Sequence, residues 1–319
     1  MKVLIVRLSS MGDVIHALPL AENARAAGAT VGWLVERPFA GLLEGDPSCA
    51  RIFAADTQLW RKRPFSSATL AEFAALRRAL RDFAPDRTID AQGLWKSATL
   101  ARLPGAPVVG FAASERREPA SALLASIRVT PDPAARHVVD RNLALLEAAG
   151  IPIASRRPDA THLRALPSPA ADAFLVALPR PFVVLHPGAA RSEKAWGEEH
   201  FARLAAGLRQ ERGLPSAISW GPGDEARVER LRALAPEAAV APPLDFGGLA
   251  RLLAASALFV AGDTGPLHLA DALGVRTLAL FGPTDPKRNG PYRNRRGIVT
   301  SMSAVSDDTV LSRALQTLR

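Results

Sequence analysis

Short apolar runs alternate with longer amphipathic stretches from one end of the chain to the other, and no other feature restricts the fold as much. An apolar run of about four to eight residues suits a strand covered on both faces, and a longer periodic stretch suits the helix that covers it. The alternation therefore specifies βαβ units and parallel sheets. In the first half the runs predict strands from Lys2 to Leu8, Val31 to Val35, Thr88 to Ala91 and Val108 to Ala112. In the second half they predict strands from Phe182 to His186, Ala217 to Trp220, Leu258 to Ala261 and Thr277 to Phe281. Between these lie EEHFARLAAGLRQERG, DEARVERLRALAP and DFGGLARLLAAS, each with apolar residues at helical spacing and a Gly, Pro or Ser at its end. The expected fold class is α/β, with two doubly wound domains.

A chain of 319 residues exceeds one ordinary core, which also favours two domains. Prolines crowd IASRRPDATHLRALPSPAADAFLVALPRP, so the linker is expected near residues 165 to 180 and the domains at 1–170 and 171–319. The final SDDTVLSRALQTL reads as a capped helix with an acid-rich first turn, able to pack back on the N-terminal domain.

Apolar residues make up 48% of the chain and charged ones 22%, and no apolar run approaches the roughly 18 residues of a membrane span, so a soluble protein is expected. The opening MKVLIVRLSSMGDVIHALPL has too short an apolar run for a leader, broken by Arg7 and Asp13, and reads as a first strand. One cysteine, Cys49, allows no internal disulfide, and no Cys/His cluster offers a zinc site, which points to the cytoplasm. The net charge of +9 is uneven: residues 51 to 128 hold thirteen Lys and Arg against seven Asp and Glu. An anionic small molecule or a membrane surface is the expected partner. Nucleic acid is not, because the single tyrosine and the lack of an aromatic-rich strand leave no stacking platform.

Ligands of open parallel sheets sit beyond the carboxyl ends of the strands. After the first strand comes Ser9-Ser10-Met11-Gly12-Asp13, where Asp13 reads most simply as a helix N-cap. In the second half four strand exits combine glycine with polar residues: His186-Pro187-Gly188, Trp220-Gly221-Pro222-Gly223-Asp224-Glu225, Gly262-Asp263-Thr264-Gly265 and Phe281-Gly282-Pro283-Thr284-Asp285. Four such exits on one sheet edge imply a nucleotide or diphosphate site. Thr264 and Gly265 start a helix whose first amides can face an anion, and Pro266 removes a donor where none is needed. His268, in the first turn, suits either a ligand contact or a structural role with Asp271 as its partner. Asp263 can cap or can hold the turn around a ligand, and spacing leaves both open. Lys194 follows the His186 loop and can counter a diphosphate, with Trp196 beside it as a packing anchor.

GPGDEA, residues 221 to 226, fits the G-x-G-x-x-A pattern after a strand, with Asp245 at the distance of a ribose-binding acid. An NAD(P)-dependent oxidoreductase is therefore an alternative. No P-loop, H-E-x-x-H or D-x-D occurs, so the sequence favours a metal-independent transfer that uses no cofactor.

RLSSMGDVIHALP at residues 7 to 19, DAQGLWKSA at 90 to 98, HPGAARSEKAW at 186 to 196, GDTGPLHLADALG at 262 to 274 and LFGPTDP at 280 to 286 together resemble the lipopolysaccharide heptosyltransferases of glycosyltransferase family 9. The resemblance runs through nearly the whole chain in order. The basic LWRKRP, residues 59 to 64, looks most like the members that attach the first heptose; a later heptosyltransferase of the same fold is the alternative. The resemblance implies a GT-B type architecture, two Rossmann-like domains facing across a cleft, acceptor-binding first and ADP-heptose-binding second. It implies inverting transfer of L-glycero-D-manno-heptose from ADP-L-glycero-D-manno-heptose to the 5-hydroxyl of Kdo on Kdo2-lipid A, at the cytoplasmic face of the inner membrane. It assigns Asp13 as catalytic base, Lys194 to the donor phosphates, Glu225 to the ribose, and Asp263, Thr264, Gly265 and His268 to ADP and heptose. Arg61, Lys62, Arg63, Lys96, Arg116 and Arg117 become candidates for the anionic acceptor. Pro266 and Leu267 depart from the common family pattern, which puts in question which amide there faces the donor.

Overall fold

The computed structural model describes residues 1–188, 196–302 and 304–319. It divides into two units, Met1–Pro158 and Asp159–Arg319, each built on a six-stranded parallel sheet. The first sheet contains β1 (Lys2–Val6), β2 (Thr30–Glu36), β3 (Arg51–Ala55), β4 (Arg87–Asp90), β5 (Val108–Phe111) and β6 (Ile127–Val129). The second contains β7 (Val183–His186), β8 (Ser216–Ile218), β9 (Ala239–Val240), β10 (Leu258–Gly262), β11 (Thr277–Leu280) and β12 (Ile298–Val299).

Strand order in the first is β3-β2-β1-β4-β5-β6 and in the second β12-β11-β10-β7-β8-β9. Counted within its own unit, the second order is the first one again, the Rossmann order in both cases. The order reverses between β1 and β4 in one sheet and between β7 and β10 in the other, and these are the points where such sheets accept ligands. The doubly wound expectation holds for both units.

The central strands are the continuous apolar runs: β7 and β11 are buried at every residue and β1 at all but its first. Four strands are not among those the runs predict, and they are β3, β6, β9 and β12, the two edges of each sheet. Their burial is partial, half-buried throughout β9 and mostly exposed in β6, so no unbroken apolar run was needed to make them.

In chain order the helices are α1 (Met11–Ala26), α2 (Thr57–Lys62), α3 (Ser67–Phe83), α4 (Trp95–Ala101), α5 (Val138–Ala148) and α6 (Pro169–Ala177). The others are α7 (Glu198–Arg212), α8 (Glu225–Leu234), α9 (Phe246–Ala255), α10 (Gly265–Ala272), α11 (Pro286–Asn289) and α12 (Asp307–Thr317). The division between units falls at Pro158, ahead of the predicted linker. The proline-rich segment is packed structure: the 3-10 turn Thr161–Ala165 and α6 lie on α9. A Cβ on Gly247 would stand 2.8 Å from Leu166 Cβ, so the glycines that open α9 are what let this segment approach. In α12, Ser306 caps by accepting from the Thr309 amide, and buried Val310 and Ala314 join the core of the second unit. No helix among the described residues is long and apolar enough to cross a membrane.

Candidate active site

In the first unit β1 leads through Arg7-Leu8-Ser9-Ser10 into α1. Ser10, extended at φ −81° and ψ −176°, is the N-cap, and Asp13 is three residues further on, inside the first turn. The cap is therefore Ser10 and not Asp13 as the sequence suggested, and Asp13 closes back on it: one carboxylate oxygen accepts from the Ser10 amide at 3.1 Å and from its hydroxyl at 3.0 Å. The other oxygen pairs with the Arg7 guanidinium. Burial pushes the Asp13 carboxyl up, but the Arg7 charge and the Ser10 hydrogen bonds outweigh it and hold the group below its ordinary value. Asp13 is thus an ionised carboxylate at the ligand-accepting point of its sheet, with its side chain 39% exposed.

The exit of β4 locks this turn in place. Gln92 Oε1 accepts from the Leu8 amide at 2.7 Å, and Arg7 donates to the Ala91 carbonyl. Buried Asp90 in turn accepts from the Gln92 and Gly93 amides, each at 3.2 Å. Asp90 also pairs with Arg116 at 3.1 Å, with both side chains fully buried. Arg116 donates further to the Phe111 carbonyl at 2.6 Å and to the Ser121 hydroxyl. The sequence made Arg116 an acceptor contact; the structure corrects this, because its guanidinium is sealed inside the unit on an ion pair and two hydrogen bonds. Arg117 beside it is exposed.

Lys96, on α4, reaches the end of β2, where its ammonium lies 3.2 Å from buried Glu36. Glu36 also accepts from the amide and hydroxyl of Thr57, which opens α2. One buried carboxylate therefore fixes both Lys96 and the short helix that carries Arg61 and Lys62, with Arg63 at its end; all three of these cations are exposed.

In the second unit the exit of β10 turns into α10, with extended Thr264 as N-cap and Pro266 in the first turn. Asp263, Thr264, Gly265 and His268 fall in this one turn. His268 Nε2 stands 3.4 Å from Asp263 Oδ1, and both side chains are buried. Asp271 is not the partner of His268; it accepts from the amides of Tyr292, Arg293 and Asn294 and so pins the loop after α11. At the strand exit His268 therefore faces Asp263 and not Asp271.

At the exits of β7 and β8, His186 Nδ1 lies 3.0 Å from the Ser219 carbonyl, and Asp224 accepts from the Gly221 amide at 3.1 Å. A Cβ on Gly188 would stand 2.4 Å from Asp224 Oδ2 and 2.7 Å from His186 Nε2, so the two side chains converge over a backbone that only glycine allows. Burial pulls the His186 pKa down to about 4, against the opposing effects of Asp224 and Ser219, so the ring is neutral near pH 7. Glu225 begins α8 and is exposed. Trp196 is a packing anchor, stacked on His200 at 5.3 Å and edge-on to Phe201 at 5.1 Å. Lys194 lies outside the described residues. Among the described residues no group of three or more His, Cys, Asp or Glu side chains could hold a metal ion.

The dinucleotide alternative fails on context. Asp245, its ribose acid, is the N-cap of α9 and accepts from the Gly248 amide at 2.7 Å. GPGDEA follows β8, which is not a strand at which the sheet order reverses.

A family model described as glycosyltransferase family 9 (heptosyltransferase) matches residues 73–315. The chain belongs to this family. It is 38% identical over 297 residues to lipopolysaccharide heptosyltransferase 1 of Pseudomonas aeruginosa, covering 92% of this chain and 81% of that one. It matches the structure of the E. coli heptosyltransferase WaaC with ADP at a TM-score of 0.83 and 32% identity, over 99% of this chain and 100% of that one. With the WaaC structure containing ADP-2-deoxy-2-fluoro heptose the TM-score is 0.81 at 31% identity, over 99% of each chain. The fold is thus α/β of GT-B type, two Rossmann-like units, as this heptosyltransferase family has it.

Arg7, Gln92, Glu36, His186 and Asp224 are the polar groups of these strand exits that sequence reasoning did not single out for a role. Gln92, Glu36 and His186 face partners far along the chain, as Gln92 faces Leu8, so local spacing carries no sign of them; Arg7 and Asp224 also have near partners, in Asp13 and Gly221.

Proposed function

We propose that this protein moves L-glycero-D-manno-heptose from ADP-L-glycero-D-manno-heptose, with inversion, to the 5-hydroxyl of Kdo on Kdo2-lipid A. The observation that carries the reading is the end-to-end likeness to lipopolysaccharide heptosyltransferase 1 enzymes, which spans both sheets. Asp13 takes the proton from the acceptor hydroxyl as its oxygen attacks the anomeric carbon and the bond to the diphosphate breaks. A carboxylate already ionised by Arg7 and Ser10 is ready for that proton. The departing ADP carries the electron pair, and its charge is met by the first amides of α10, at Thr264 and Gly265, and by Lys194. Asp263 and His268 orient the heptose and phosphates, and Glu225 the ribose. With its charge met in this way, the leaving group needs no metal.

The N-terminal unit, Met1–Pro158, takes the acceptor and the C-terminal unit the donor. Arg61, Lys62, Arg63, Lys96 and Arg117 meet the acceptor's phosphates and carboxylates; all are exposed except Lys96, which the buried Glu36 holds in place. The enzyme then works in the cytoplasm, peripherally on the inner membrane where its lipid-linked acceptor resides. The test is ADP release from ADP-heptose on Kdo2-lipid A compared with an acceptor that already bears heptose. Turnover on the first alone is expected; turnover only on the second assigns a later step.

A further inference from the structure

Phe65 is 91% exposed and Leu70 56% exposed, although they occupy positions that ordinarily close on one another. Ser66 caps α3 by accepting from the Thr69 amide, so Phe65 precedes the cap and Leu70 is the fourth residue of the helix. Apolar residues so spaced usually pack over the first turn as a staple. Here both stand in water. Leu59 on α2 is a third, 39% exposed. Its neighbour Trp60 turns the other way, edge-on to Phe73 at 5.8 Å with its indole N–H donating to Glu72 at 3.0 Å.

Between the exposed apolar residues come Arg61, Lys62 and Arg63, all exposed. The Arg63 amide donates to the Leu59 carbonyl and the Ser66 amide to that of Arg63, which folds the segment into a tight corner between α2 and α3. Scattered exposed leucines need no explanation, but a nearly bare phenylalanine joined to two more apolar side chains and three cations does. An acidic polymer would match the cations and leave Phe65 in water. An anionic bilayer surface matches both, since headgroup phosphates take Lys and Arg while the boundary below them takes aromatic and aliphatic side chains.

We propose that the corner from Leu59 to Leu70 docks the protein on an anionic lipid surface, with Phe65 and Leu70 entering the headgroup boundary. This deepens the proposed function, resting on it only in that a lipid-linked acceptor places the work at such a surface. Headgroup and acceptor phosphates are the same chemistry to the three cations, and the apolar pair is what distinguishes the bilayer.

The test is co-sedimentation of the full chain with phosphatidylethanolamine/phosphatidylglycerol vesicles and with phosphatidylcholine vesicles, with neither donor nor acceptor present. Binding to the anionic vesicles is expected, weakened at least about tenfold by Phe65→Ser and further by adding Leu70→Ser. The same variants keep their rate of ADP release with an acyl-free Kdo saccharide, which shows that they fold. A wild-type chain that stays in the supernatant, or variants that sediment as it does, would overturn the proposal. Vesicle binding lost on Phe65→Ser in a chain without heptosyl transfer would leave the docking surface standing and remove the enzymatic reading instead.

Discussion

The Arg7 guanidinium closes on the Asp13 carboxylate across the turn from β1 to α1, while also donating to the Ala91 carbonyl at the end of β4. One side chain thus sets both the ionisation and the position of the proposed base. Arg7→Gln leaves burial opposed by Ser10 alone, so the Asp13 pKa rises and the acid limb of the kcat/KM profile moves to higher pH. A pH–rate series on both proteins measures it; an unmoved limb would show that Arg7 does not govern this carboxylate.

Arg116 belongs to the interior. Arg116→Met leaves Asp90 as a buried charge without its counter-ion, and a loss of about 3–5 kcal/mol is expected in urea unfolding. The acceptor KM of the protein that remains folded stays unchanged. A raised KM at unaltered stability would return Arg116 to the acceptor contacts.

Glu36 holds Lys96 and the start of α2 together. Glu36→Gln weakens both ties, and the acceptor KM is expected to rise by roughly threefold to tenfold, in line with the loss of a charge-assisted hydrogen bond. Steady-state kinetics should show kcat and the donor KM unaltered, a split that general loss of structure would not give.

His186 links stability to pH. Its pKa is about 4 when folded against 6.5 as the ordinary value, so the unfolded chain binds the proton first. The stability it contributes is complete above pH 6.5 and is lost as pH falls toward 4, about 3 kcal/mol in all. Urea unfolding at pH 7 and pH 4.5 should show a smaller drop for His186→Gln than for the wild type. Equal drops would mean that the ring is not held neutral by burial.

Much of this was legible in the sequence. The central strands announce themselves because both faces are covered, and α7, α9 and α12 because cap and periodicity agree. The edge strands β3, β6, β9 and β12 stayed hidden, since pairing on one side makes a strand without an apolar run. At the site, the turn of Asp263 to His268 could be read from its residue types. Burial could not: the cationic window showed the charge of Arg116 but not Asp90 facing it, and Asp271 lay near His268 in sequence while serving three amides beyond residue 291. Long-range polar pairs leave no local pattern; Ser10 and Arg7, which hold Asp13 directly, are near it in sequence, but the ties of Gln92 and Ala91 that lock their turn are of the long-range kind.

The most direct test of the central claim is ADP release from ADP-heptose on Kdo2-lipid A by Asp13→Asn, with ADP affinity measured alongside by calorimetry. A rate lower by about 100-fold to 10,000-fold with ADP affinity unchanged is the predicted result. A rate within twofold of the wild type would contradict it.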